Sequence, residues 1–165
     1  MVLRMGEMLV AEGVLSEEQV EEVLAIQRQL GEPFGSICER IHGISPETIE
    51  GVWARQYEHL TRELTLDEVD FDPGVADLVS PRQAWQFRVL PIAFDGGSLM
   101  LATTRPSLTR ALRFATRVLR HPAMFLLLEP DALAAELERR HPLGGMNVGM
   151  LQGGVHRASS SRIGS

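Results

Sequence analysis

The chain has 165 residues, 44% of them hydrophobic, which is enough for one ordinary domain or two small subdomains with a real core and no covalent staples. A formal net charge of −6 excludes a general DNA or RNA binder, because affinity for a phosphate backbone needs a basic face. All sixteen basic residues are arginine, so no Walker A, kinase or Schiff-base lysine is available, and Cys38, the only cysteine, excludes an intrachain disulfide or a thiolate metal cluster.

Residues 4–27 and 33–56 are two copies of one pattern, offset by 29 positions. Gly6/Gly35, Ser16/Ser45, Glu18/Glu47, Glu21/Glu50, Val23/Val52, Ala25/Ala54 and Gln27/Gln56 are identical, where composition alone gives roughly one or two matches. Met5/Phe34, Met8/Ile37, Leu9/Cys38, Leu15/Ile44, Val20/Ile49 and Leu24/Trp53 keep apolar character, so the copies share a buried face. Each copy predicts a short helix, a turn and a longer helix. In the first, Gly13 ends a helix, and Ser16 with Gln19 three residues on is a capping box that opens the next. In the second, Gly43 precedes a Ser45 cap with Pro46 at the first helical position. Four helices in two hairpins result.

Residues 57–74 are polar and turn-rich, with Asp67, Glu68, Asp70 and Asp72 before Pro73-Gly74, and residues 59–74 are assigned as a linker. The acidic run lacks the glycine and terminal Glu of a calcium loop and reads as solvated. Val75 to Phe87 predicts a helix interrupted or restarted at Pro81. Val89 to Phe94 and Ser98 to Thr103 predict strands joined at Asp95-Gly96-Gly97. A helix near Ser107 to Leu119, a buried strand from Met124 to Leu128 and a helix from Asp131 to His141 follow. Arg110, Arg113, Arg117 and Arg120 place a basic stripe on the first of these helices, either solvated or docking an acidic partner. From Pro142 the chain is rich in Gly and Ser and has little to bury. The fold class is therefore α+β: a helical subdomain over 1–58, the linker, an α+β subdomain over 75–141 and a flexible tail over 142–165.

No apolar run approaches a membrane span, and with a single cysteine a reducing, cytoplasmic setting fits. The five histidines never fall at the spacing of a helical metal pair, and no nucleophile elbow or other catalytic spacing is present. The expectation is a non-catalytic module with no metal and no cofactor.

The run Arg4-Met5-Gly6, then Leu9-Val10, Gly13, Leu15, Val20, Leu24 and Gln27, with a five-residue spacer before its second copy, resembles the nucleotide-binding motif of MshEN domains, found in type II secretion and type IV pilus assembly ATPases. That resemblance implies binding of the second messenger cyclic di-GMP through Arg4, Met5, Gly6, Val20, Leu24 and Gln27 of the first copy and Phe34, Gly35, Ile49, Trp53 and Gln56 of the second. It implies partners too: an attached or separate secretion or pilus ATPase, or a membrane glycosyltransferase carrying the same module. A two-fold ligand suits a duplicated unit. Apolar positions would cover the guanines, Arg4 would pair with a phosphate or a guanine edge, and Gly6 and Gly35 would admit backbone N–H groups. The second copy departs from the pattern, with Pro33 at the arginine position and His42 where the glycine is expected, one place before Gly43. Arg28 and Arg40 are the candidates to replace the missing charge. The same apolar spacing also fits plain core, and the alternative function is a nucleotide-independent docking domain that recruits a secretion ATPase to an inner-membrane assembly protein.

Overall fold

The computed structural model describes residues 5–60 and 62–143; Arg4, and the expected tail from residue 144 on, lie outside the described residues. The two sequence copies form two helical hairpins, α1 (Met5–Ala11) with α2 (Glu17–Leu30) and α3 (Phe34–His42) with α4 (Pro46–Leu60). The local signals act as their chemistry dictates. Ser16 Oγ accepts from the Gln19 amide at 3.1 Å while Gln19 Oε1 accepts from the Ser16 amide at 2.9 Å, closing the box that starts α2. Ser45 Oγ accepts from the Thr48 amide at 3.2 Å and does the same for α4. Gly13 and Gly43 both sit in the left-handed region, at φ 72° and 68°, but Gly43 caps α3 directly whereas α1 ends at Ala11, two residues before Gly13.

The remainder is α+β as expected. Strands β1 (Glu63–Leu64), β2 (Leu90–Asp95), β3 (Ser98–Thr103) and β4 (Ala123–Leu128) form one sheet in the order β1-β4-β3-β2. β2 and β3 are the antiparallel hairpin around Gly96-Gly97, whereas β4 runs parallel to β3 and to β1. Parallel neighbours need a crossover, which α6 (Leu108–Arg117) supplies between β3 and β4. Every residue of β4 is buried, which is why its sequence, Ala-Met-Phe-Leu-Leu-Leu, is a continuous apolar run without alternation. α5 (Pro81–Phe87) and α7 (Pro130–Arg140) complete the helices. The predicted break at Pro81 is real: residues Pro73–Leu78 form a separate 3-10 segment, and Ser80 caps a new helix with Pro81 in its first turn.

One strand escaped the sequence reading. β1 lies inside the stretch assigned as linker, and a two-residue strand has no period to read; it exists through its pairing with Leu127 and Leu128. The acidic residues around it act locally. Glu68 accepts from Arg62 and then from the Thr65 amide, which together hold its carboxyl down to about 2. Asp72 Oδ1 accepts from the Gly74 amide at 2.9 Å and caps the following 3-10 segment.

The helical hairpins and the sheet share a continuous core through α6. Ala111, Leu112, Phe114 and Ala115 of α6 are buried, and α3 and α4 lie against the same helix. Tyr57 of α4 is fully buried; its hydroxyl accepts from the Phe125 amide at 2.9 Å, and its ring meets Phe125 edge-on, so the second hairpin is tied into β4. Burial pushes the Cys38 thiol on α3 up to about 12, which leaves it an inert core side chain.

Candidate ligand cleft

An open cleft of about 500 Å³ runs between the first hairpin and the sheet. That volume is typical of small-molecule sites, which span about 300–1,000 Å³. Its helical wall is one face of α2, where Glu17, Val20, Glu21, Leu24 and Arg28 recur at i, i+3, i+4, i+7 and i+11, together with Met5, Gly6, Glu7, Val10 and Ala11 of α1. Phe34 and Trp53 close its inner end, their ring centroids 5.6 Å apart. Trp53 is held there by its indole N–H, which donates to the Met5 carbonyl at 2.9 Å and pins the start of α1 to α4.

Met5, Gly6, Val20, Leu24, Phe34 and Trp53, all expected ligand contacts, therefore line one cleft. Gly35, Ile49, Gln27 and Gln56 do not. Gly35 lies against α6, where a Cβ would stand 2.6 Å from the Thr116 carbonyl oxygen, so its glycine permits close helix packing and not a ligand's approach. Gly6 has a related role, since a Cβ there would meet Val20 Cγ1 at 2.5 Å. Ile49 is fully buried. Gln27 is 1% exposed, and its carboxamide has no hydrogen-bond partner among the described residues. Gln56 instead reaches solvent and donates to Glu12 Oε1 at 3.0 Å. The shared amide thus has two different fates.

The charges sort in the same way. Arg40 is paired with Glu32, whereas Arg28 borders the cleft without an acidic partner among the described residues. Glu7, Glu17 and Glu21 stand on the same rim. In the second copy, Glu47 and Glu50 are taken by Arg117 of α6, at 2.8 Å and 2.9 Å, and Thr116 Oγ1 donates to Glu50 at 2.6 Å. A backbone N–H and then Arg117 hold the Glu47 carboxyl below its usual value. Arg117, read from the sequence as part of a solvated or partner-docking stripe, is thus an internal clamp.

Of the two candidates for the missing charge, Arg28 and not Arg40 borders the cleft; the sequence reading did not reach Glu7 of α1, nor Glu17 and Glu21, although the α2 periodicity places Glu17 and Glu21 on the face of Val20 and Leu24. Nor did it reach the opposite wall, formed by Gly96, Gly97, Ser98, Ala115 and His121–Ala123. Those residues meet the helices only because α6 and the sheet bring them there.

Comparison with known proteins places the chain. It is 30% identical over 140 residues to the type IV pilus assembly ATPase PilB of Thermus thermophilus, covering 85% of this chain and 15% of that protein. It is 27% identical over 104 residues to PilB of Myxococcus xanthus, covering 63% of this chain and 18% of that protein. The chain thus spans less than a fifth of the length of either relative. Among solved structures, that of MshE with cdg is 23% identical, with a TM-score of 0.42, covering 84% of this chain and 99% of that one. The N-terminal domain of XpsE is 18% identical, with a TM-score of 0.38, covering 84% and 94%. No helix among the described residues is long and apolar enough to cross a membrane. The model of the MshEN domain family matches residues 53–145, more than half of the sequence and the part that follows most of the duplication, and the chain belongs to that family.

Proposed function

We propose that this chain is a non-catalytic receptor module for cyclic di-GMP that conveys second-messenger state to an attached or separate secretion or pilus ATPase, or to a membrane glycosyltransferase. The observation that carries the reading is the cleft itself: the apolar positions of the first repeat, Met5, Val20 and Leu24, are gathered on a single wall with Phe34 and Trp53 of the second. The ligand class is the one with which MshE was solved.

The chemistry of the wall suits that ligand. Half-buried Leu24 and Val10, backed by the buried Val20, Phe34 and Trp53, offer an apolar surface for a guanine face. Arg28 supplies charge for the phosphates, as the motif's Arg4 would by the family resemblance. The rim carboxylates of Glu17 and Glu21 accept hydrogen bonds only, which matches the N–H donors of a guanine edge and mismatches the acceptor that adenine presents there. One cleft built from two repeats takes one two-fold ligand. Calorimetric titration with cyclic di-GMP is expected to give about one ligand per chain, with GTP and cyclic di-AMP binding more weakly. The absence of both heat and a thermal shift at ligand concentrations far above the micromolar range would contradict the proposal.

Pro33 favours a second reading. It heads α3 with no side chain able to cap the helix or meet an anion, and it stands at the motif's arginine position. On that reading the module docks an inner-membrane assembly protein without nucleotide, and the titration is silent.

A further inference from the structure

Opposite α2, the cleft is bounded by the Gly96-Gly97 turn with Ser98 and by His121 in the loop between α6 and β4. The turn requires glycine, with φ 56° and 86°, and a Cβ on Gly97 would meet nothing within 4 Å. Bare backbone therefore borders open space on the cleft. Beside it, Phe94 is 45% exposed, a large apolar side chain at a hairpin end, and its ring stands edge-on to the His121 imidazole at 5.5 Å. The Leu99 amide donates to the Pro122 carbonyl at 2.7 Å, which binds the hairpin to the His121 loop and makes the two one wall.

We infer that this wall is a second ligand-binding surface, in which the His121 imidazole and the Gly96-Gly97 backbone contact the ligand that rests on Val20 and Leu24, so that bound ligand bridges the helical and α+β halves. The inference rests on the receptor reading above. A neutral imidazole carries one N–H donor and one acceptor nitrogen, serving a phosphate oxygen or a guanine edge, and bare turn amides favour anionic oxygens. A ligand held on the helices alone would reach the sheet only through the packing of α3 and α4 on α6 and the Tyr57 contact with β4. Held on both walls, it fixes the β2–β3 hairpin against α1 and α2, and the occupied state is then passed on through the sheet.

The test is amide-resolved NMR of the whole chain titrated with cyclic di-GMP, together with calorimetry of His121→Ala and His121→Gln. The Gly96, Gly97 and Ser98 amides are expected to shift and gain exchange protection. His121→Ala is expected to weaken binding about tenfold, the loss of one hydrogen bond to a charged group, with the melting temperature preserved and part of the affinity returned in His121→Gln. Full affinity in His121→Ala with unshifted turn amides overturns the second wall and leaves the receptor reading standing. An unliganded wild-type chain overturns both.

Discussion

The two copies of the repeat share a fold and seven identical residues, yet they face different neighbours. In the first, Gly6, Val20 and Leu24 border an open cleft, and Glu21 stands exposed on its rim. In the second, Gly35 is packed under Thr116, Ile49 is fully buried, and Glu50 is bonded to Thr116 and Arg117. Only Phe34 and Trp53 of the second copy reach the cleft among the positions equated with the first. Duplication therefore preserved the helical hairpin and its caps while docking changed what each surface does. Identical letters do not imply identical contacts.

The largest expected effect separates Trp53 from its counterpart Leu24. Trp53 is 1% exposed and bonded to Met5, so Trp53→Ala is expected to cost about 3–5 kcal/mol of stability. Leu24 is only half-buried, and Leu24→Ala is expected to cost less than about 2 kcal/mol while weakening cyclic di-GMP binding. Denaturant unfolding of both variants beside titration decides it. Equal stability losses would remove the contrast between a docked and an open copy.

The next comparison uses one arginine from each face. Arg28→Ala is expected to weaken ligand binding by about 1.5–3 kcal/mol, a charge-assisted hydrogen bond, with the melting temperature held. Arg117→Ala is expected to lower the melting temperature through loss of the Glu47 and Glu50 contacts and to spare affinity. Affinity lost in Arg117→Ala and kept in Arg28→Ala would place the anion on the wrong copy.

The glycine pair gives the smallest expected difference and the sharpest geometry. Gly35→Ala puts a methyl against backbone of α6, which cannot yield, and is expected to cost about 1–3 kcal/mol. Gly6→Ala meets only the end of the Val20 side chain, so a smaller melting shift with a change in affinity is expected. Thermal melts of the two variants, with and without ligand, check both halves of the statement.

Much of the fold was legible because its signals are local. The Ser16-Gln19 box, the Ser45 cap, the break before Pro81 and the Gly96-Gly97 turn each depend on a few adjacent residues. β1 was not legible, since its two residues become a strand only beside Leu127 and Leu128. The site divides along the same line. Met5, Gly6, Val20 and Leu24 were reached through a local motif that resembles the MshEN pattern, whereas His121 and the hairpin turn reach the cleft only through the crossover that α6 makes between β3 and β4. Gln27 and Gln56 show the limit of reasoning from residue type. An amide on an apolar stripe demands a partner, but spacing does not say that Gln56 finds Glu12 while Gln27 lies buried without one among the described residues.

The central claim is that ligand rests on the first repeat's open face, between α2 and the β2–β3 turn. A crystal structure of the chain grown with cyclic di-GMP tests it most directly. The account predicts one ligand molecule in the cleft, a base against Val20 and Leu24, a phosphate beside Arg28, and the Gly96-Gly97 backbone within hydrogen-bond reach. Ligand bound away from that cleft, or an empty cleft at saturating ligand, would contradict it.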